Sequence, residues 1–232
     1  MLTDLLATGR TQPMSSRTGN SIRTYTVLVG MALAGSAAAQ SPATTSQPRP
    51  LALLTAMSGE EQTRLALSTA PAEVSSRASI YVLNGKGYTR TRTGTNGFSC
   101  LVEREMPETV EPVCYDAEGT ATILPARLHR EELRAQGLSE DEVKRRLAAG
   151  YKSGRFHAPR KPGMVYMLAR ETWTWNSFIK DFSPSPPHYM LYAPYAKQEE
   201  FGGSPGPQIP FILWAGQPDA LIIIMAQDSS HH

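Results

Sequence analysis

Residues 78–104 read ASIYVLNGKGYTRTRTGTNGFSCLVER, and their pattern decides the fold class. The runs ASIYVL (78–83), YTRTRT (88–93) and FSCLVER (98–104) are rich in β-branched and aromatic residues. Between them stand Asn84-Gly85 and Asn96-Gly97, pairs that supply the positive φ angles hairpin turns require. In the middle run Thr89, Thr91 and Thr93 alternate with Arg90 and Arg92, so at least one face of that strand meets water. Phe98, Cys100 and Val102 share a face of the third run. The stretch predicts a meander of antiparallel strands.

Further hairpin and helix signals flank it. Pro112–Asp116 and Thr120–Leu124, around DAEG, predict another hairpin. From Arg127 the period changes: ARLHREELRAQG reads as a helix stopping at Gly137, and Ser139 with Glu142 is a capping-box pair opening EDEVKRRLAAG, which stops at Gly150. Upstream, Ser58 with Glu61 opens a helix carrying Leu65 and Leu67 and ended by Pro71. MVYMLAR (164–170) reads as a strand; PFILW and ALIIIMA do not alternate, which predicts central strands buried on both faces. The whole predicts an α+β architecture, an antiparallel, hairpin-rich sheet with two or three short helices and one disulfide near a sheet edge, in a single domain over 51–230.

The N-terminal segment bears on compartment. Arg17 and Arg23 precede an apolar run from Tyr25 to Ala34, and Ala37 and Ala39 form an A-x-A pattern before Gln40. This is the layout of a cleaved export signal over residues 1–39, with Met14 fitting an initiator. The apolar run is shorter than the roughly 20 residues that span a bilayer, so no transmembrane segment is expected in the mature chain. QSPATTSQPRP (40–50) has little to bury and reads as a disordered leader. The formal net charge is +2. Residues 1–39 hold Arg10, Arg17 and Arg23 against Asp4, so the chain without them is neutral, which removes the composition argument for a nucleic-acid partner. A periplasmic or secreted protein is expected.

An oxidising compartment gives the only two cysteines, Cys100 and Cys114, a reason to pair. Glu103, Glu105, Glu108, Glu111, Asp116 and Glu118 crowd them against Arg104 alone, and such a field disfavours a nucleophilic thiolate. A structural bridge is the expectation, with a free thiol, an intermolecular pair or a metal as the alternatives.

ELRAQGLSEDEVKRRLA resembles a helix-turn-helix DNA reader over about twenty residues, with Lys144, Arg145 and Arg146 on the second helix. Glu140, Asp141 and Glu142 would meet phosphates there, which is repulsive. No nucleic-acid partner is expected. Basic residues run from Lys144 to Lys161. Within that run Lys152, Arg155, Arg160 and Lys161 are candidate contacts for an anionic envelope polymer or lipid headgroup. Trp173 and Trp175 are candidates for stacking on a glycan. His157 and His188 are weak acid–base candidates, the latter with Asp181 nearby in sequence. There is no H-E-x-x-H, G-x-S-x-G, P-loop or dinucleotide motif, and no cofactor or metal is expected. The leading expectation is a non-enzymatic exported binding protein using the basic loop and nearby aromatics. The alternative is a small exported hydrolase using a loop histidine with a carboxylate.

Overall fold

In the computed structural model, residues 53–177, 179–205 and 209–225 are described; the expected export signal and leader lie outside them. The Asn84 turn forms as the sequence demands. β1 (Ser79–Asn84) and β2 (Gly87–Arg92) pair antiparallel, and the Asn84 side chain accepts from the Lys86 N–H at 2.8 Å and donates to Thr89. The second turn does not close a hairpin. β3 (Ser99–Glu103) crosses to the other side of β1 and pairs with it in parallel. The physical reason lies in the two strands: β2 carries its threonines and arginines largely in solvent, whereas every residue of β3 is buried. A fully buried strand needs neighbours on both sides, and β2 suits an edge.

From β3 the sheet grows by antiparallel pairing through β4 (Glu111–Tyr115), β5 (Met164–Met167), β8 (His188–Tyr192), β10 (Leu221–Met225) and β9 (Phe211–Leu213). The order is β2-β1-β3-β4-β5-β8-β10-β9. β6 (Trp173–Asn176) and β7 (Asp181–Pro184) form a separate two-stranded ribbon. β9 and β10, expected at the centre, lie at the far edge and beside it, and Phe211, Ile224 and Met225 are exposed. Their unbroken apolar runs reflect partial cover on each face rather than a central position.

Among the described residues five α-helices cover the sheet, so the fold is α+β with an α-layer on each face. On one side sits α1 (Gly59–Ser68) with the short α2 (Ala72–Ser75). The Ser58 hydroxyl accepts from the Glu61 N–H at 3.2 Å, and the Glu61 carboxylate accepts from the Ser58 N–H at 2.8 Å. Buried Gln62 binds α1 to β1, accepting from the Leu83 N–H at 2.7 Å and donating to the Leu83 carbonyl at 3.1 Å. On the other side lie α3 (Ala117–Thr122), α4 (Leu124–Ala135) and α5 (Glu140–Lys152). Side-chain alternation serves both layers: Leu101, Val113, Tyr115, Val165, Met190 and Leu221 face α3 and α4, while Cys100, Cys114 and Val102 face α1.

The segment expected as a hairpin around DAEG is helix α3, and Asp116 explains the change. One of its oxygens accepts from the Gly119 N–H at 2.9 Å, as a helix N-cap, and from the Tyr192 hydroxyl at 2.7 Å; the other accepts from the Met164 N–H at 2.9 Å. A capped helix start that also holds β5 and β8 outweighs the local turn preference. Gly119 is required here because a Cβ would collide with the Tyr192 hydroxyl. Gly137 does end α4 with a positive φ. Gly150 does not end α5, which runs two residues further; it is buried against the Phe156 ring, where a Cβ has no room.

Cys100 and Cys114 form a disulfide between directly opposed residues of β3 and β4. These are the third and fourth of eight strands, so the bridge sits mid-sheet rather than near an edge. Closing a loop of about 15 residues stabilises the fold by about 3 kcal/mol in the chain-entropy view. Urea unfolding of the Cys100→Ala/Cys114→Ala protein should show a loss of that order, with reductant shifting the native midpoint and leaving the variant's unchanged. Insensitivity of the native midpoint to reductant would refute the bridge's role.

Candidate functional site: a cleft walled by ion-paired arginines and aromatics

α4 carries Arg127, Arg130 and Arg134 at i, i+3 and i+7, which places them on one helix face. That face is turned into the protein rather than toward water. Arg127 is 5% exposed and Arg130 7%. Their partners are carboxylates that are equally buried: Glu103 at the end of β3 and Glu131 on α4 itself. Glu103 accepts from the Tyr115 hydroxyl at 2.8 Å and meets Arg130 at 3.4 Å and Arg127 at 3.7 Å. Glu131 accepts from Arg134 at 2.5 Å and from Arg104 at 2.9 Å. Arg134 also binds Glu140 at 2.8 Å and donates to the carbonyls of Arg104 and Glu105.

The network continues across to the β9–β10 connection. Arg127 Nη2 lies 2.8 Å from Asp219 Oδ2, and its guanidinium stacks 4.1 Å from the centroid of the Trp214 ring. The Trp214 indole N–H donates to Glu105 at 3.0 Å. Trp214 and Tyr195 both hold positive φ, 53° and 63°, a conformation uncommon for large side chains. It is maintained by pairing between their loops, Tyr195 N–H to the Gln217 carbonyl at 2.8 Å and Gly216 N–H to the Ala196 carbonyl at 2.7 Å, and by a turn within the β9–β10 connection, Gln217 N–H to the Trp214 carbonyl at 2.9 Å.

Between this wall and α5 opens a cleft of about 720 Å³. Val143, Leu147 and Ala148 of α5 give it an apolar side, Tyr195 and Trp214 an aromatic one, and Lys144 and Lys152 stand at α5 positions eight residues apart. Burial and the nearby Asp219 push the Tyr151 hydroxyl pKa upward, so it stays protonated. Arg134 holds the Glu140 carboxyl below the ordinary range. For Arg127, burial works against the charge, but Asp219, Tyr115 and Glu103 together hold the guanidinium firmly protonated.

Of the residues singled out in the sequence, Lys152 lines this cleft. Arg155, three residues on, lies instead against the His129 ring at 3.2 Å and over Phe156. Arg160 and Lys161 are exposed on the following loop, where the Arg160 backbone N–H donates to Glu118. Trp173 is buried with Leu54, Met57 and Val102 on the α1 side of the sheet. Trp175 is 42% exposed on the ribbon, edge-on to Phe182. The six candidate contacts therefore do not share one surface. His188 is buried on β8, its ring bonded to the Pro186 carbonyl at 2.8 Å, and burial lowers its pKa. Asp181 is exposed on β7, and His157 is exposed. Among the described residues no carboxylate is hydrogen-bonded to His188 or His157, and no group of three or more His, Cys, Asp or Glu is placed to hold a metal. The recognition-helix residues Arg145 and Arg146 are both paired with Glu142.

The chain matches no family model, no curated protein and no solved structure.

Removing one partner of a buried ion group leaves the others uncompensated, at a cost of about 3–5 kcal/mol. Glu103→Gln should show a loss of that size in urea unfolding, while Glu142→Gln, which breaks only exposed pairs, should change little; equal effects would contradict the network's role. Glu111 stands directly across from Glu103 in the β3–β4 pair, and burial, then Glu105, raise its pKa from 4.5 to about 7. The folded state thus holds that proton more tightly than the unfolded chain, so its stabilising effect is full below about 4.5 and disappears as pH rises through about 7. Between pH 5 and 8 the native protein should lose about 1–3 kcal/mol relative to Glu111→Gln, read from urea midpoints; parallel pH profiles would contradict the assignment.

Proposed function

We propose that this protein is a non-enzymatic ligand-binding domain that takes a small molecule in the cleft between α4, α5 and the β9–β10 connection, and that it works outside the cytoplasm. The single observation that carries the reading is the cleft itself. Its volume of about 720 Å³ falls within the range of small-molecule sites, about 300–1,000 Å³. Its walls combine an apolar helix face with aromatic side chains and a few fixed polar groups, the composition such sites share. Two aromatic residues hold left-handed backbone at its rim, and conformations of that kind cluster at functional positions.

A binding role is favoured over catalysis by the state of the ionisable groups. Glu140, Asp219 and the three α4 arginines are committed to ion pairs, and Tyr151 is pushed away from neutral pH. A general acid or base works best with a pKa near the operating pH. Among the described residues lining the cleft there is no serine, threonine, cysteine or histidine. The export reading is supported by the signal-like N-terminal sequence and by the Cys100–Cys114 bridge, which persists where thiols are not kept reduced. Among the described residues no helix is long and apolar enough to cross a membrane. The basic side chains of the sequence motif enter this reading only through Lys144 and Lys152.

The test uses probes that share one planar body: 2-naphthamide, 2-naphthoate and 2-naphthylmethylammonium, titrated while backbone amide shifts are recorded. At least one should shift the amides of Leu147, Ala148 and Trp214 saturably, and Ala148→Trp, which fills the space, should abolish those shifts. If none of the three produces shifts there that Ala148→Trp removes, the cleft is not a binding site.

A further inference from the structure

The cleft's charges do not all find partners, and those that remain say what kind of ligand fits. Arg127, Arg130 and Arg134 are each matched by Glu103, Glu131, Glu140 or Asp219, and Glu105 receives the Trp214 indole N–H. Lys144 and Lys152 have no ion-pair partner among the described residues, although both line the cleft. Eight helical residues separate them, about 12 Å along α5, with the small Ala148 midway. Among the described residues Glu105 also lacks an ion partner, its Trp214 contact being neutral, so two free ammonium groups stand against one free carboxylate and the lining keeps an excess of positive charge.

The interior adds a second, independent observation. The Tyr151 hydroxyl and Arg127 Nε are buried and have no hydrogen-bond partner. Arg127 Nη2, though 2.8 Å from Asp219, is not aligned to donate to it. Each of these is a donor, and the Tyr151 proton is held firmly by burial. Unsatisfied buried donors are uncommon in folded proteins and destabilise them. Both side chains line the cleft; the Arg127 nitrogens are turned toward Glu103 and Asp219, which leaves the Tyr151 hydroxyl as the donor that an acceptor oxygen brought into the cleft would satisfy. On the facing side Trp214 and Tyr195 present aromatic surface opposite Leu147 and Ala148, a slot for a flat apolar body.

Resting on the reading of the cleft as a binding site, we propose that its ligand is a small amphipathic oxyanion. An anionic acceptor group is held by the Tyr151 hydroxyl and the Lys144/Lys152 field, and a planar apolar body lies between the aromatic wall and α5. An anion is favoured over a neutral acceptor or a cation because two ammonium groups, Lys144 and Lys152, lack ion partners against one carboxylate, Glu105, which already accepts the Trp214 indole N–H, while Glu140 and Asp219 are ion-paired.

The test compares affinities of the full chain for 2-naphthoate, 2-naphthamide, 2-naphthylmethylammonium and inorganic phosphate by calorimetry. Naphthoate should bind at least about tenfold more tightly than the amide, the scale of a hydrogen bond to a charged group, and the ammonium should bind most weakly. Tyr151→Phe should reduce naphthoate affinity about tenfold and amide affinity less. Lys144→Met with Lys152→Met, both on the exposed surface of α5, should flatten the salt dependence of naphthoate binding. Phosphate should bind much more weakly than naphthoate, since it lacks the planar body. Equal affinities for the amide and the carboxylate, tighter binding of the ammonium, or phosphate matching naphthoate would each overturn the proposed ligand class while leaving the cleft a binding site. Absence of any binding sensitive to Ala148→Trp would overturn both.

Discussion

The Glu103 carboxylate is the point on which the α3–α5 side of the molecule depends. It ends β3, in the middle of the sheet, and receives the Tyr115 hydroxyl from β4 and the guanidiniums of Arg127 and Arg130 from α4. A charge so deeply buried is tolerable only when every neighbour compensates it. That requirement fixes α4 in rotation and in height over the strands. Glu131, one residue beyond Arg130, extends the same constraint to Arg104 and Arg134, and Arg134 passes it to Glu140 at the start of α5. The helical layer is therefore held to the sheet by ionic contacts as well as by the apolar cluster around Leu101, Tyr115 and Leu124.

The consequence for function lies at the outer end of this chain of contacts. Arg127 faces Glu103 on one side and Asp219 with Trp214 on the other. One guanidinium thus joins the sheet, α4 and the β9–β10 connection. The aromatic wall of the cleft is set by this joint, by the Glu105 bond to the Trp214 indole and by the backbone pairing that holds Tyr195 and Trp214 at positive φ. A rigid wall lowers the ordering cost a ligand must meet on binding, which gives a physical reason for building a surface feature on buried charge.

Local features of this fold were legible in the sequence and long-range ones were not. Asn84-Gly85, Ser58 with Glu61, and Gly137 each specify their own few residues, and the turn, helix start and helix end they imply are present. The pairing of Cys100 with Cys114 followed from an inferred compartment and an acidic neighbourhood. The parallel β1–β3 pair, the edge position of β9 and the capped helix at Asp116 depend on partners far away in the chain: Tyr192 and Met164 for Asp116, and a buried slot for β3. The candidate site suffered in the same way. Basic residues between Lys144 and Lys161 form a run unrelieved by acids, yet only Lys144 and Lys152 of α5 reach the cleft. The arginines that matter are spaced at i, i+3 and i+7 on a helix whose buried side also carries Leu124, Ala126 and Leu133. Charges sharing a helix face with core residues were the available signal of a buried network. Trp214, between an apolar run and AGQPD, carried no local mark of its role.

Arg127, held between Glu103 and the Asp219–Trp214 pair, transmits the geometry of the buried network to the cleft wall. Native-state hydrogen exchange in Arg127→Met tests it most directly. In that variant the Gly216 and Gln217 amides, bonded to the Ala196 and Trp214 carbonyls, should lose protection strongly while the β8 and β10 amides, at the centre of their ladder, keep most of theirs. Unchanged protection at Gly216 and Gln217 in a folded variant would contradict it.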